Sequence, residues 1–313
     1  MEAVLKPKNK EIGKKRSKKM TRAGRDNIEG WLFMAPTLLL SGVFLLVPIL
    51  LSFYLSFREY SLFDGSIITG GSFVGFSNYS EALKDPSFIK SLKNVLYYTV
   101  MMVPATVALS LGLALVANSK LRGKIFFRIV YYLPAITSIV AISIIFLFIF
   151  KLDGAVNVFL GIFGVEPVSW FFNSKYALPS IAAMGVWMAS GFYMIIFLAG
   201  LQDIPSSYYK AAKIDGANFW QSFIYITLPC LKGKMFFVVV SLLIGSFQLF
   251  DQVFVVSGGS GGPGESTMTV ILKVYQTAFR DLRFGYASSM AFLLLGVILA
   301  VTLVQKKIFE GDE

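Results

Sequence analysis

The stretch that decides the fold spans residues 203–229 and reads DIPSSYYKAAKIDGANFWQSFIYITLP. It joins two long apolar segments, and a connection of this length is expected to be either functional or disordered. Its composition instead favours regular structure. Ser206 is a candidate cap for a helix over Tyr208–Ile214. Asp215-Gly216 then predicts a turn, in which Gly216 takes the left-handed conformation that ends many helices.

A second short helix is predicted immediately after this turn. Asn218 is a candidate cap for Phe219–Ile226, whose apolar residues recur at a spacing that places them on one face. Leu228-Pro229 is predicted to end this helix before the next apolar segment. The pattern alone leaves two interpretations open. The two helices either lie on the membrane surface or dock to a partner protein.

The rest of the chain predicts an all-α membrane protein. Of the 313 residues, 56% are hydrophobic and only 15% are charged, and the mean hydropathy is +0.68. This composition excludes an ordinary soluble enzyme. Segments of about 20 apolar residues are long enough to cross a bilayer. Six segments qualify: Trp31–Phe57, Asn94–Ala117, Ile125–Phe150, Leu178–Leu201, Met235–Val256 and Gly285–Gln305.

The distribution of lysine and arginine predicts the orientation. Residues 1–30 hold ten lysines and arginines. All segments predicted on that side of the membrane, residues 1–30 included, hold nineteen, and the segments on the other side hold nine. The positive-inside rule therefore predicts that both termini are cytoplasmic. The basic run adjoins an apolar span, which indicates contact with an anionic lipid bilayer and not with nucleic acid. The predicted organisation is a tail at 1–30, a permease domain at 31–305 with the cytoplasmic loop 202–234, and a tail at 306–313.

The residues available for chemistry are few. Histidine is absent and Cys230 is the single cysteine, which excludes His-based triads, His/Cys zinc sites and disulfide frameworks. We therefore predict no catalytic residue, no metal site and no bound cofactor. The glycine-rich run Gly258–Gly264 lacks the lysine of a phosphate-binding loop, so this chain is not expected to bind ATP.

The stretch at 203–229 resembles the EAA loop of ABC-importer permeases, in which EAA, a glycine and I-x-L-P follow at fixed spacing. Ala211, Ala212, Gly216, Ile226, Leu228 and Pro229 match that pattern, while Lys210 replaces the usual glutamate. Residues 31–305 are further similar to the carbohydrate-uptake permeases related to the maltose transporter, and to the MalF-like half of the permease pair. Tyr132-Leu133-Pro134 and Ile214-Asp215-Gly216-Ala217 are among the matching motifs.

This resemblance implies a type I ABC importer permease fold with six transmembrane helices, in a bacterial or archaeal cytoplasmic membrane. The implied partners are a second, MalG-like permease subunit, a pair of ATPase subunits that bind ATP and Mg, and an extracytoplasmic solute-binding protein. The implied function is import of a sugar or oligosaccharide. The residues implied to couple to the ATPase are Tyr209, Ala211, Ala212, Asp215, Gly216, Ala217, Leu228 and Pro229.

Polar and aromatic residues midway along two spans are the candidates for a substrate path. Hydroxyl and amide groups beside aromatic rings suit sugars, and the resemblance places Tyr193 and the region 246–249 at sugar contacts. The same residues could instead bond helix to helix. The candidates are Ser190, Tyr193, Ser246, Gln248 and Leu249. The alternative function is a secondary active transporter for a small polar solute, for which Asp251 is the one intramembrane acid.

Overall fold

The computed structural model describes residues 22–66, 69–119 and 123–310, and most of these residues are helical. The helices are α1 (Arg22–Ser41), α2 (Val47–Ser56), α3 (Ser77–Ala82), α4 (Pro86–Asn118), α5 (Lys124–Ile136), α6 (Ile139–Ile149), α7 (Ala155–Gly161), α8 (Ala177–Asp203), α9 (Ser206–Ile214), α10 (Phe219–Ser222), α11 (Leu228–Cys230), α12 (Lys232–Phe247), α13 (Asp251–Ser257), α14 (Val270–Phe279) and α15 (Phe284–Glu310).

Short elements connect the helices. Strands β1 (Arg58–Glu59) and β2 (Ser72–Phe73) pair antiparallel, with Arg58 opposite Phe73. Within the described residues, two single turns have the wider π-helical geometry, at Gly42–Leu46 and Phe223–Thr227. The chain divides into two compact units, Met1–Leu51 and Ser52–Glu313. In its described part, the first unit consists of α1, the first π-turn and the start of α2.

Five predicted spans coincide with helical stretches that are long and apolar enough to cross a membrane. These stretches are Glu29–Ser56, Pro86–Asn118, Ala177–Asp203, Lys232–Ser257 and Phe284–Phe309. Helix α1 begins at Arg22, inside the predicted tail 1–30, and α15 continues to Glu310. The remaining tail residues, 1–21 and 311–313, lie outside the described residues.

The third predicted span, Ile125–Phe150, is not one straight helix. Its halves α5 and α6 meet at an angle of 101°. Thr137 between them has an extended backbone, and its hydroxyl donates to the carbonyl of Leu133 at 2.8 Å. This side-chain bond competes with the helical backbone bonds, and Pro134 has no N–H to contribute. Pro134 lies three residues before Thr137, but the apolar pattern predicted one continuous span.

Each π-turn is followed by a proline, and the spacing between turn and proline is the same in both cases. The first turn ends two residues before Pro48, and the second ends two residues before Pro229. In the wider turn, a backbone N–H donates to the carbonyl five residues back instead of four. The Leu228 N–H, for example, donates to Phe223 O. The change of register accommodates a proline that would otherwise interrupt the helix. The prediction that Leu228-Pro229 ends the second short helix is therefore wrong, because the helix continues through α11 to Cys230.

The core of the second unit lies between α4 and α8, which have the most extensive contact of any helix pair. Small residues allow the close approach. A Cβ atom at Gly185 of α8 would lie 2.5 Å from the hydroxyl of Tyr98 on α4. Tyr98, Met184, Met194 and Phe197 are fully buried at this contact. Helix α12 joins this core through Val238 and Leu242. A helix of 33 residues spans about 50 Å, so the two ends of α4 reach two well-separated faces.

Candidate functional site

The connection between α8 and α12 is organised around one tight turn, as the sequence predicts. Gly216 has φ +79°, the left-handed conformation. The Ala217 N–H donates to Ala212 O at 2.8 Å, and the Gly216 N–H donates to Lys213 O at 3.3 Å. This is the Schellman pattern, which satisfies the last free carbonyls of α9. Helix α9 begins at Ser206, and Pro205 occupies the cap position without a side-chain bond. The predicted capping role of Ser206 is therefore wrong.

The second helix begins with a complete capping box. The Asn218 side chain accepts the Gln221 N–H at 2.9 Å, and the Gln221 side chain accepts the Asn218 N–H at 2.8 Å. Both ends of the turn between α9 and α10 are thus fixed by local hydrogen bonds. Of the predicted apolar face, Phe223 and Ile226 pack against the core, whereas Phe219 is 66% exposed.

The turn projects away from the body of the chain. Ile214 is 87% exposed, and a Cβ atom at Gly216 would meet no atom within 4 Å. Of the residues predicted to couple to an ATPase, Ala211, Asp215, Gly216 and Pro229 are exposed, whereas Tyr209, Ala212, Ala217 and Leu228 are half-buried. We name residues 206–230 the helix pair. Its tip offers a compact, preorganised and open surface.

The base of the helix pair is anchored between the ends of α8 and α12. Leu231 is fully buried against Gly200, where a Cβ atom would lie 2.6 Å from the Leu231 Cδ2. Lys234 pairs with Asp203 at 3.6 Å, close to the same point. The contact between Gly200 and Leu231 joins residues 31 positions apart, and it could not be predicted from spacing.

The candidate path residues fall into two groups. Ser190 is buried, and its hydroxyl donates to Trp187 O within the same helix at 3.1 Å. Ser246 is buried, and its hydroxyl lies 2.9 Å from that of Thr99 on α4. Leu249 is also buried. These three lie within the packing of this chain, and Thr99 is a partner that the sequence did not single out.

Tyr193 and Gln248 lie differently, because both reach the surface of this chain. Tyr193 is half-buried, and its ring meets Phe192 edge-on at 5.2 Å. Gln248 is exposed, at a break between α12 and α13. The break frees the Leu249 carbonyl, which accepts the Thr269 hydroxyl at 2.8 Å. The sequence signals of this break are Gly245 and the polar positions 246 and 248. Asp251 follows as the exposed first residue of α13.

The other end of α4 is tied to the glycine-rich run by side chains. Lys90 donates to Gly264 O at 2.6 Å, Asn94 donates to Glu265 O at 2.8 Å, and Ser87 bonds the Glu265 carboxylate at 2.8 Å. Arg283 forms a two-pronged pair with Glu81, at 2.7 and 2.9 Å. The segment 257–284 is thereby fastened to α3 and α4. Within the described residues, no group of three or more acidic, histidine or cysteine side chains could hold a metal ion.

Comparison with known proteins assigns the family. Residues 105–310 match the family model "Binding-protein-dependent transport system inner membrane component". The chain is 37% identical over 284 residues to the lactose transport system permease protein LacF of Rhizobium radiobacter, covering 89% of this chain and 93% of the relative. It is 35% identical over 288 residues to the arabinooligosaccharides transport system permease protein AraP of Bacillus subtilis, covering 90% of both chains.

The fold has a solved counterpart. A chain of a bacterial ABC transporter involved in import of the acidic polysaccharide alginate superposes with a TM-score of 0.78 at 22% identity, covering 93% of this chain and 99% of that chain. The protein belongs to the family of binding-protein-dependent transport system inner membrane components. It is a membrane-embedded permease with the ABC importer permease fold, and it is not itself an enzyme. This assignment replaces the alternative of a secondary active transporter.

Proposed function

We propose that this chain is one of two permease subunits in an ATP-driven ABC importer for a sugar or oligosaccharide. The chain then contributes half of the translocation path, and its helix pair transmits movement from an ATPase. The partners are a second, MalG-like permease subunit, a pair of ATPase subunits that bind ATP and Mg, and an extracytoplasmic solute-binding protein. Family membership supports the last of these partners most directly.

The membrane arrangement proposed has six spans and two cytoplasmic termini, in a bacterial or archaeal cytoplasmic membrane. The bent pair of α5 and α6 counts as one span in this arrangement. The excess of lysine and arginine on the side of the helix pair supports this orientation. The domain organisation follows from it, with tails at 1–30 and 306–313 and the permease domain at 31–305.

One observation carries the coupling role, namely the exposed tip of the helix pair, whose backbone is held by hydrogen bonds on both sides of Gly216. The helix pair can transmit a movement only if its own conformation stays the same. The Schellman motif and the capping box fix the backbone on both sides of Gly216. Exposed apolar side chains beside the tip, Ile214 and Trp220, provide area for a protein contact.

The proposed substrate follows from the relatives and from the chemistry of the two path residues that reach the surface of this chain. The two relatives named above are permeases for lactose and arabinooligosaccharides. Tyr193 offers a ring and a hydroxyl group, and Gln248 offers an amide that both donates and accepts. The other three candidates support the path without contacting the sugar, because their side chains are buried in this chain. They are Ser190, Ser246 and Leu249.

Affinity purification from native membranes, followed by mass spectrometry, tests this function. We expect recovery of a second permease and an ATPase, and loss of the ATPase when Asp215→Ala is combined with Gly216→Val. The matched control combines Asp153→Ala with Gly164→Val, since Gly164 has a similar φ of +77° and equally open surroundings. Recovery of the unaltered chain without any ATPase would contradict the proposal.

A further inference from the structure

One hydrogen bond crosses the helix pair. The hydroxyl of Tyr209 on α9 lies 2.9 Å from Oγ1 of Thr227, which is 18 residues further along the chain. Thr227 is the last residue of the π-turn and is 4% exposed. Tyr209 is half-buried, and its ring packs against the edge of the core. We call α9 and the segment 219–230 the two arms of the helix pair. The bond between Tyr209 and Thr227 joins these arms at the base of the pair.

The geometry of the π-turn makes Thr227 suited to this role. Its Oγ1 also lies 3.4 Å from Ser222 O, five residues back, so the side chain is held by its own turn. The Thr227 carbonyl accepts the Leu231 N–H at 3.0 Å, and Leu231 is the buried anchor against Gly200. A continuous line of contacts thus runs from Tyr209 through Thr227 and Leu231 to the start of α12.

Open space beside the helix pair increases the importance of this bond. A cavity of about 1010 Å³ separates the pair from the end of α4 at Val116 and Ser119, and both Tyr209 and Thr227 line it. Tightly packed elements resist displacement, whereas a cavity provides no contacts on that side. Among the described residues, the angle between the two arms is therefore fixed largely by contacts that the pair makes with itself and at its base.

We propose that Tyr209 and Thr227 are positioning residues that hold the helix pair as one rigid body. A displacement of the tip by the ATPase then displaces α12 by the full amount. This inference rests on the proposed coupling function. Without the bond, α9 and the π-turn can move independently. The Schellman turn at the tip would stay intact, while the movement delivered to the membrane helices would shrink.

Two variants remove one hydroxyl each with little change of shape, Tyr209→Phe and Thr227→Val. Thr227→Ser keeps the hydroxyl and serves as the matched control. The complex of chain, second permease, ATPase and binding protein is placed in proteoliposomes, with lactose and arabinooligosaccharides as probes. The measured quantity is sugar imported per ATP hydrolysed, together with the amount of ATPase bound.

We expect each hydroxyl-deleting variant to retain its ATPase while importing about fivefold less sugar per ATP, the factor expected for one lost hydrogen bond. The double variant should be no worse than either single variant, because both remove the same interaction. Thr227→Ser should match the unaltered chain. An unchanged import ratio in Tyr209→Phe would overturn the inference, and so would equal loss in Thr227→Ser.

Hydrogen exchange on the purified chain separates this inference from the proposed function. Faster exchange over residues 206–230 in Tyr209→Phe, with unchanged exchange in α4, supports the rigid pair even when no ATPase is found. Unchanged exchange over residues 206–230 would overturn it. Absence of the ATPase from the unaltered complex would instead contradict the proposed function alone.

Discussion

Gly191 of α8 lies directly against the backbone of Tyr131 on α5, and a methyl group at Gly191 would overlap the Tyr131 carbonyl oxygen. The neighbouring atom is backbone, so it cannot rotate away as a flexible side chain would. The bent third span is therefore held against α8 by a glycine that leaves no space for any other residue. The close approach is consistent with the extensive contact between α5 and α8.

The variant Gly191→Ala is expected to destabilise the protein. Overpacking at a tight contact costs about 1–3 kcal/mol, which outweighs the gain in helix propensity from glycine to alanine. The matched control is Gly296→Ala in α15, where a Cβ atom meets nothing within 4 Å. Thermal unfolding in detergent should show a lower midpoint for Gly191→Ala and an equal or higher one for Gly296→Ala. Equal midpoints in the two variants would argue against this contact.

Asp85 is expected to make the stability of the protein sensitive to acid. Burial raises the pKa of the Asp85 carboxyl. This effect is outweighed by hydrogen bonds from the Ser87 and Phe88 N–H groups and the Tyr286 hydroxyl, and by the charge of Lys273, so the pKa of Asp85 lies below its ordinary value. A lowered pKa stabilises the folded state above the unfolded value of about 3.9, and this stabilisation is lost as the pH falls through the folded value.

Asp85→Asn isolates that dependence, because asparagine also caps helices but carries no charge. The difference in unfolding free energy between the unaltered chain and Asp85→Asn should be constant near neutral pH and shrink below about pH 4. Asp85→Ala should cost about 1–2 kcal/mol at neutral pH through loss of the cap. A difference independent of pH down to about pH 3 would show that the charge of Asp85 does not stabilise the fold.

Asn157 is expected to organise the segment between α6 and α8. Its side chain is buried, donates to Lys151 O and Val168 O at 2.9 Å each, and accepts the Val168 N–H and the Trp170 Nε1 at 3.0 Å each. Asn157→Ala leaves these groups unpaired, at a cost of about 3 kcal/mol. Hydrogen exchange should accelerate across residues 151–172. Asn173→Ala, whose side chain accepts one exposed N–H, should show little change.

Gln248 is expected to affect transport more than stability. Its side chain is exposed at the break between α12 and α13, so Gln248→Ala removes no buried hydrogen bond within the part of the chain that the structure describes. Loss of one sugar contact should weaken transport by about tenfold, with the unfolding midpoint unchanged. Gln202→Ala, exposed at the end of α8, is the control. Transport by Gln248→Ala equal to that by Gln202→Ala would remove Gln248 from the path.

The sequence predicted the helices far better than their breaks. Hydropathy located the spans because lipid requires long apolar helices, and the Asp-Gly and Asn signals located the turn at Gly216 because few residues satisfy that backbone. The bend at Thr137, the break at Gln248 and the π-turn before Pro229 escaped prediction. Each arises where freed backbone groups find a specific partner, such as Thr269 for the Leu249 carbonyl.

The candidate site was predictable in part for the same reason. Local rules identified the helix pair, whose tip is fixed by hydrogen bonds between residues close in sequence. The pairs Ser246–Thr99 and Tyr209–Thr227 join residues 147 and 18 positions apart, and no single-sequence pattern specifies such contacts. The exposure that separates Gln248 from Leu249 likewise depends on the break in the helix, which is a tertiary feature.

The proposed contact between the tip of the helix pair and an ATPase subunit is tested by site-specific photocrosslinking. A photoreactive residue at Ile214, which is 87% exposed, is compared with one at Ile162, which is 75% exposed beyond α7. Irradiation of native membranes should give an adduct to an ATPase at position 214 and none at position 162. No ATPase adduct at 214, or equal adducts at both positions, would contradict a contact between the tip and the ATPase.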